Sequence, residues 1–394
     1  MRLRRILGAL ASIALSSGAC FLPGFDVGGS GGSGSSTTSS TGGAGGAGGA
    51  PPQLCESEGL PPRPQGAGGG GGGGGAAPEP LRFALRNFDF GDAPQGEPAR
   101  TDLPGLDLDR SCSCCECVSA LEACTRPSFA TAASCDGERG VDNAFARLIS
   151  LVGDNATSAA LNGDVEDGVW TILVELADYN GLPDDAQVRV ALYTTSGHKT
   201  NPDAMALPTA PAWQGDDQWM RRADSVGPTN EPLVYTDQAY VTGGVLVGEL
   251  EGFLSLGGSL GSRVNFRGGL VRARIAEVDG KTVLRDGVIG GRWPLEDIFA
   301  ALSSLRILNQ PVCTNTIGYS TVKASICKAT DVYSRGVGAN LCDALSFGMR
   351  FDAEPVLFAA ALGPSTSSPG CVDPATDPAN DCCERVMPTD PCPR

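Results

Sequence analysis

The stretch Cys135–Tyr193, CDGERGVDNAFARLISLVGDNATSAALNGDVEDGVWTILVELADYNGLPDDAQVRVALY, decides the fold class. It holds an Asp- and Gly-rich turn, a short amphipathic helix and two strong strands. Phe145, Leu148, Ile149 and Val152 share one helical face. Asp136 or Asp142 stands where a carboxylate caps a helix N-terminus, and Gly153 stops the helix. Trp170, Ile172, Val174 and Leu176 then form an apolar strand face, alternating with Val169, Thr171, Leu173 and Glu175. Asn180-Gly181 and Pro183-Asp184 are turn chemistry, and Val188, Val190 and Leu192 alternate on a second strand. Together the two strands predict a hairpin.

Outward from this stretch the same patterns repeat. LRFALRNFDFGD, from Leu81, predicts an edge or bulged strand. Strands return from Ala239 in YVTGGVLVGELEGFLSL, RVNFRGGLVRARIAEV and KTVLRDGVIGGRW, with Asp279-Gly280 as a type I′ hairpin turn. Pro294 opens a helix, PLEDIFAALSSLRIL, and a closing strand follows in LSFGMRFDAEPVLF. Strands joined by Gly turns, without alternating β-α units, predict a mainly β fold with a few helices. The form expected is an antiparallel sandwich or jelly roll over 81–362.

The rest of the chain reads as packaging around that domain. Arg2, Arg4 and Arg5 precede an apolar run from Ile6 to Leu15, which predicts a signal peptide over 1–19. Ser17-Gly18-Ala19-Cys20 resembles a bacterial lipobox with Ser17 in place of the usual Leu, and makes Cys20 the lipid-attachment candidate. Residues 20–80, rich in Gly, Ser and Pro, predict a disordered tether with a reach of ~40–50 Å. Residues 363–394 are a Cys-, Pro- and Asp-rich tail that disulfides must order.

Of the 15 cysteines, a lipidated Cys20 leaves 14, which can pair completely. Cys112, Cys114, Cys115, Cys117, Cys124 and Cys135 crowd together without a nearby His. After an export signal, disulfides are the expectation for these and for Cys313, Cys327, Cys342, Cys371, Cys382, Cys383 and Cys392. The net charge of −16 becomes −19 once Arg2, Arg4 and Arg5 leave with the signal peptide, which argues against a nucleic-acid partner.

Chemistry is sparse. The G-x-S-x-G match at Gly257–Gly261 lacks a following helix and a downstream His, so it reads as a glycine turn. A single His excludes a two-histidine zinc site. Calcium is the best cofactor candidate, because Asp and Asn bunch in Gly-containing loops. One group is Asp136, Asp142 and Asn143; the other is Asp178, Asn180, Asp184 and Asp185. The competing reading of both is Asx turns and helix caps. In Trp213-Gln214-Gly215-Asp216-Asp217-Gln218-Trp219, the Trp and Asp pairs suit a sugar ring, with loop anchoring as the competing reading.

The lipoprotein-like start, the Gly/Ser/Thr tether, the CDG and VDN pieces at Cys135–Asn143 and the W-Q-G-D-D-Q-W segment together resemble surface lipoproteins of myxobacteria, a group without an assigned activity. That resemblance carries no catalytic residues over. The function expected is a membrane-anchored, extracytoplasmic binding or structural module of the outer membrane or cell surface. A glycan or another surface protein is its candidate ligand. The alternative is a secreted hydrolase that uses paired carboxylates on carbohydrate.

Overall fold

The computed structural model describes residues 60–65, 78–93, 100, 102–110, 124–130, 136–152, 158–198, 208–256, 262–307, 310–337, 340–365 and 370–384. In chain order, β1 (Leu81–Asp89) leads to α1 (Phe145–Val152) and α2 (Ser158–Glu166). Seven strands follow: β2 (Ile172–Ala177), β3 (Asp185–His198), β4 (Gln218–Arg221), β5 (Val234–Thr242), β6 (Val245–Leu256), β7 (Ser262–Val278) and β8 (Lys281–Pro294). Then come α3 (Leu295–Leu302), a small ladder of β9 (Arg306–Ile307) and β10 (Gln310–Pro311), α4 (Tyr319–Lys328), β11 (Ala344–Pro355) and β12 (Leu357–Phe358).

The sandwich predicted from sequence gives way to a barrel. The sheet runs β12-β4-β3-β2-β1-β11-β8-β7-β6-β5, and β5 pairs back onto β3. Strands β1, β2, β3, β5, β6, β7, β8 and β11 therefore close a ring in which every pairing is antiparallel. Length explains how β3 does this: its Asp185–Leu192 half pairs with β5, and from Thr195 to His198 it pairs with β4. Bulges supply the curvature that a closed ring needs. One falls between Leu250 and Gly252 in β6, where Gly252 has φ +135 and a Cβ would lie 2.9 Å from the Leu233 carbonyl. The hairpin of β2 and β3 forms with Val174 opposite Leu192. At the β7–β8 turn both Asp279 and Gly280 have positive φ, as a type I′ turn requires. Strand β1 is bulged near Asn87, but it pairs on both sides and is no edge.

Alternation places Phe83, Leu85, Ile172, Val174, Leu176, Val190, Leu192, Val271, Phe347 and Met349 in one buried core inside the ring. Eight strands enclose a lumen that such side chains fill. Charged pairs such as Arg274–Asp286 and Arg285–Glu354 lie on the strands outside the core, the reverse of a membrane barrel. Among the described residues no helix is long and apolar enough to cross a membrane. The β1–β2 and β8–β11 connections leave from the same end of the ring. Their helices seal that end with Ile149 and Leu161 from α1 and α2, and with Phe299 and Ile326 from α3 and α4.

Disulfides tie the periphery to this core. Cys124–Cys342 pins the segment before α1 to the start of β11. Cys313–Cys371 and Cys327–Cys383 fasten the tail to the α4 region, and Cys382 is also disulfide-bonded. Lys323 and Tyr319 of α4 both bond the Asp381 carboxylate, which further fixes the tail. Cys112, Cys114, Cys115, Cys117, Cys135, Cys392 and the lipid candidate Cys20 lie outside the described residues.

One piece of the stretch read as tether is placed against the barrel. Residues 60–65 lie beside β3 and β5, where Arg63 donates to the Ala186 and Gln238 carbonyls.

Candidate functional site

The acids gather on the outer face of β8 and β11. Gly348 and Gly290 are cross-strand partners there, and neither carries a side chain. Their absence leaves room for the segment 103–109: a Cβ on Gly348 would lie 2.3 Å from the Pro104 carbonyl oxygen, and one on Gly290 would lie 3.4 Å from the Leu106 side chain. Leu106 and Leu108 pack on Val288, which turns the intervening acids of Leu106-Asp107-Leu108-Asp109 away from that apolar contact. Asp142 bridges to Leu106 alongside, and its Oδ2 accepts the Leu108 and Asp109 N–H groups at 2.6 and 3.3 Å.

Asp107, Asp109 and Asp142 each bring a carboxylate oxygen within 4.8 Å of the others. Two oxygens bound to one calcium at about 2.4 Å lie at most that far apart, so these three are the residues that could hold a hard cation. Asp142 is only 2% exposed. Burial first, and then the charges of Asp109, Asp331 and Asp136, push its carboxyl well above the ordinary carboxylate range. Asp331, half-buried, is pushed up to about 7 by the loss of water, against two hydrogen bonds from Ser346 that favour its charge. Arg292 is the nearby countercharge: its guanidinium donates to the Leu108 carbonyl, and burial lowers its pKa against the pull of Asp142 and Asp109. A groove of about 270 Å³ opens beside Asp107, where Arg139, Arg272 and Arg350 line it.

The first sequence group therefore divides. Asp142 lies in the acid cluster and Asp136 acts on it through charge. Asn143 does not join them: its Nδ2 donates to the Phe90, Pro104 and Gly348 carbonyls, and its Oδ1 takes the Ala146 N–H. The cap that the sequence assigns to Asp136 or Asp142 thus belongs to Asn143, because the Asp142 carboxylate is turned toward Leu108. Asp107 and Asp109 are the members that the sequence reading missed, and Asp331, missed as well, acts on Asp142 through charge. The available signal was the Leu-Asp alternation of Leu106-Asp107-Leu108-Asp109.

The second group stays a turn. Asp185 accepts the Asn180 and Gln187 N–H groups, Asn180 accepts from Leu182, and Asp184 accepts from Gly243. Asp178 sits in the left-handed region at φ +61. These carboxylates tie the β2–β3 loop to the β5–β6 turn, and they form no ion-sized group among the described residues.

The tryptophan segment is used mostly for packing. Trp219 is fully buried, its ring 5.5 Å from that of His198. Asp217 is buried too, accepts the Ala212 and Gln214 N–H groups, and lies 3.4 Å from His198 Nε2. Trp213 is half-buried, with Arg86 stacked on its ring and its indole N–H donating to Glu166. Asp216 is exposed and lines an open groove of about 490 Å³ with Arg82, Lys281 and Thr282, where it is the one lining acid. His198, the chain's single histidine, has its Nδ1 at 2.7 Å from the Thr209 carbonyl and its Nε2 against Asp217, so both nitrogens are occupied. Gly257–Gly261 lies outside the described residues.

Comparison with protein-family models, with curated proteins and with solved structures found no match.

Proposed function

We propose that the chain is an exported, lipid-anchored protein of the outer membrane or cell surface, and that its barrel is a rigid binding or structural module. The observation that carries this reading is the closed, side-chain-filled barrel stapled by disulfides. Disulfides form and persist in oxidising compartments beyond the cytosol, in keeping with the signal-like start. A filled lumen leaves ligand contact to the outer face and the loops. The carbohydrate hydrolase is the weaker reading. Paired carboxylates in a cleft beside an aromatic platform would favour it, whereas the groove beside the tryptophan segment is lined by Asp216 alone among acids.

Anchoring is tested by fractionation. Cys20→Ala should move the protein from the membrane fraction to the soluble one; retention in the membrane fraction would overturn the lipoprotein reading.

A further inference from the structure

The closing seam of the barrel is imperfectly paired. The register between β3 and β5 slips between Asp185 and Val188, and again between Val188 and Val190. A bulge of this kind takes backbone groups out of the ladder. On this seam the carbonyls of Ala186, Asp237 and Gln238 accept from side chains. Gln187 donates to Asp237. Arg63 donates to Ala186 at 2.9 Å and also to Gln238. The same guanidinium lies 5.0 Å from the Tyr240 ring centroid, and the Tyr240 hydroxyl donates to the Pro61 carbonyl at 2.6 Å.

Three features meet in this contact. The segment Leu60-Pro61-Pro62-Arg63-Pro64-Gln65 has three prolines whose φ is fixed before docking, so little entropy is lost when it docks. An aromatic ring receives it, as in other surfaces that bind proline-rich chains. A forked cation spans two carbonyls while it stacks on that ring, a combination that lysine does not reproduce.

We propose that the β3–β5 seam is a recognition surface for a proline-arginine segment, and that residues 60–65 occupy it as a latch. On the lipid-anchored reading, the latch makes the seam, and not the start of β1, the place where the anchored part of the chain reaches the barrel.

The test compares full-length wild type with full-length Arg63→Ala. Opening the latch should raise the nitration rate of Tyr240, mapped by mass spectrometry, by about tenfold, the scale set by losing one charged hydrogen bond. A fluorescein-labelled LPPRPQ peptide should bind Arg63→Ala at least about tenfold more tightly than wild type, whose own segment blocks the seam. The same peptide with Ala for Arg should not bind. Equal nitration of Tyr240 in the two chains, or equal binding of the two peptides, would overturn the proposal. A wild-type dimer that dissociates in excess LPPRPQ would overturn the latch within one chain and place the segment on a second copy. None of these readouts depends on lipid at Cys20. Peptide binding together with membrane retention of Cys20→Ala would therefore sink the anchoring reading and leave the recognition surface standing.

Discussion

Asp331 and Asp142 carry a stability cost that depends on pH. In the folded chain Asp331 holds its proton up to about pH 7, whereas an unfolded Asp releases it near 3.8. The folded state therefore binds more protons between those values, and stability falls as pH rises through that window. Asp142 is shifted in the same direction. Urea unfolding in EDTA should give a higher midpoint at pH 5 than at pH 8. Asp331→Asn, which keeps an acceptor for the Ser346 N–H, should flatten the difference. A midpoint that rises from pH 5 to 8 would contradict these shifts. Repeating the series in about 5 mM calcium separates the two ways of neutralising the cluster. An unchanged curve means that protons do it, and a curve flattened at pH 8 means that an ion does. Only part of this cluster was legible in the sequence. Asp136 and Asp142 stood out through their Asp-Gly and Asp-Asn neighbours. Asp107 and Asp109 come from a segment whose position depends on the bare Gly348–Gly290 pair, and Asp331 arrives from beyond α4. No local pattern announces either juxtaposition.

Elements were legible where local chemistry decides them. Asp279-Gly280 announces its turn because few residues tolerate two consecutive positive φ values. The helix α1 and the β2–β3 hairpin follow from periods of 3.6 and 2. Closure was not legible, because a sandwich and a barrel share the same alternation. The choice rests on β5 meeting β3 at residues about 50 positions apart in the chain. The tail shows another kind of dependence. Residues 370–384 hold only short 3₁₀ turns, with Pro378 as the one buried residue inside them, so Cys313–Cys371 and Cys327–Cys383 do most of the fastening. Sequence separations of 58 and 56 give each bridge about 4 kcal/mol in the chain-entropy model. The double variant Cys327→Ser/Cys383→Ser should lower unfolding stability by about 2–5 kcal/mol and make the tail the first site of proteolysis. An unchanged cleavage pattern would mean that Cys313–Cys371, the Cys382 bridge and the Asp381 contacts to α4 hold the tail without Cys327–Cys383.

At the scale of the molecule, redox state is the property that links compartment to fold. With Cys20 lipidated, 14 cysteines remain to pair. Thiol titration of the denatured, unreduced protein should find at most about two free thiols, since an oxidising compartment completes such frameworks. Six or more, with bound zinc, would turn the cysteine-dense segment into a metal cluster.

Closure of the ring also governs how copies behave when crowded. A sheet that ends in a long, flat strand offers unpaired N–H and C=O groups to any neighbour. Here β5 is spent on β3, and among the described residues the ladder that flanks β3 stops at the two residues of β12. A dense layer of these barrels, each held within reach of the next, thus has little backbone edge through which strands could join into fibrils.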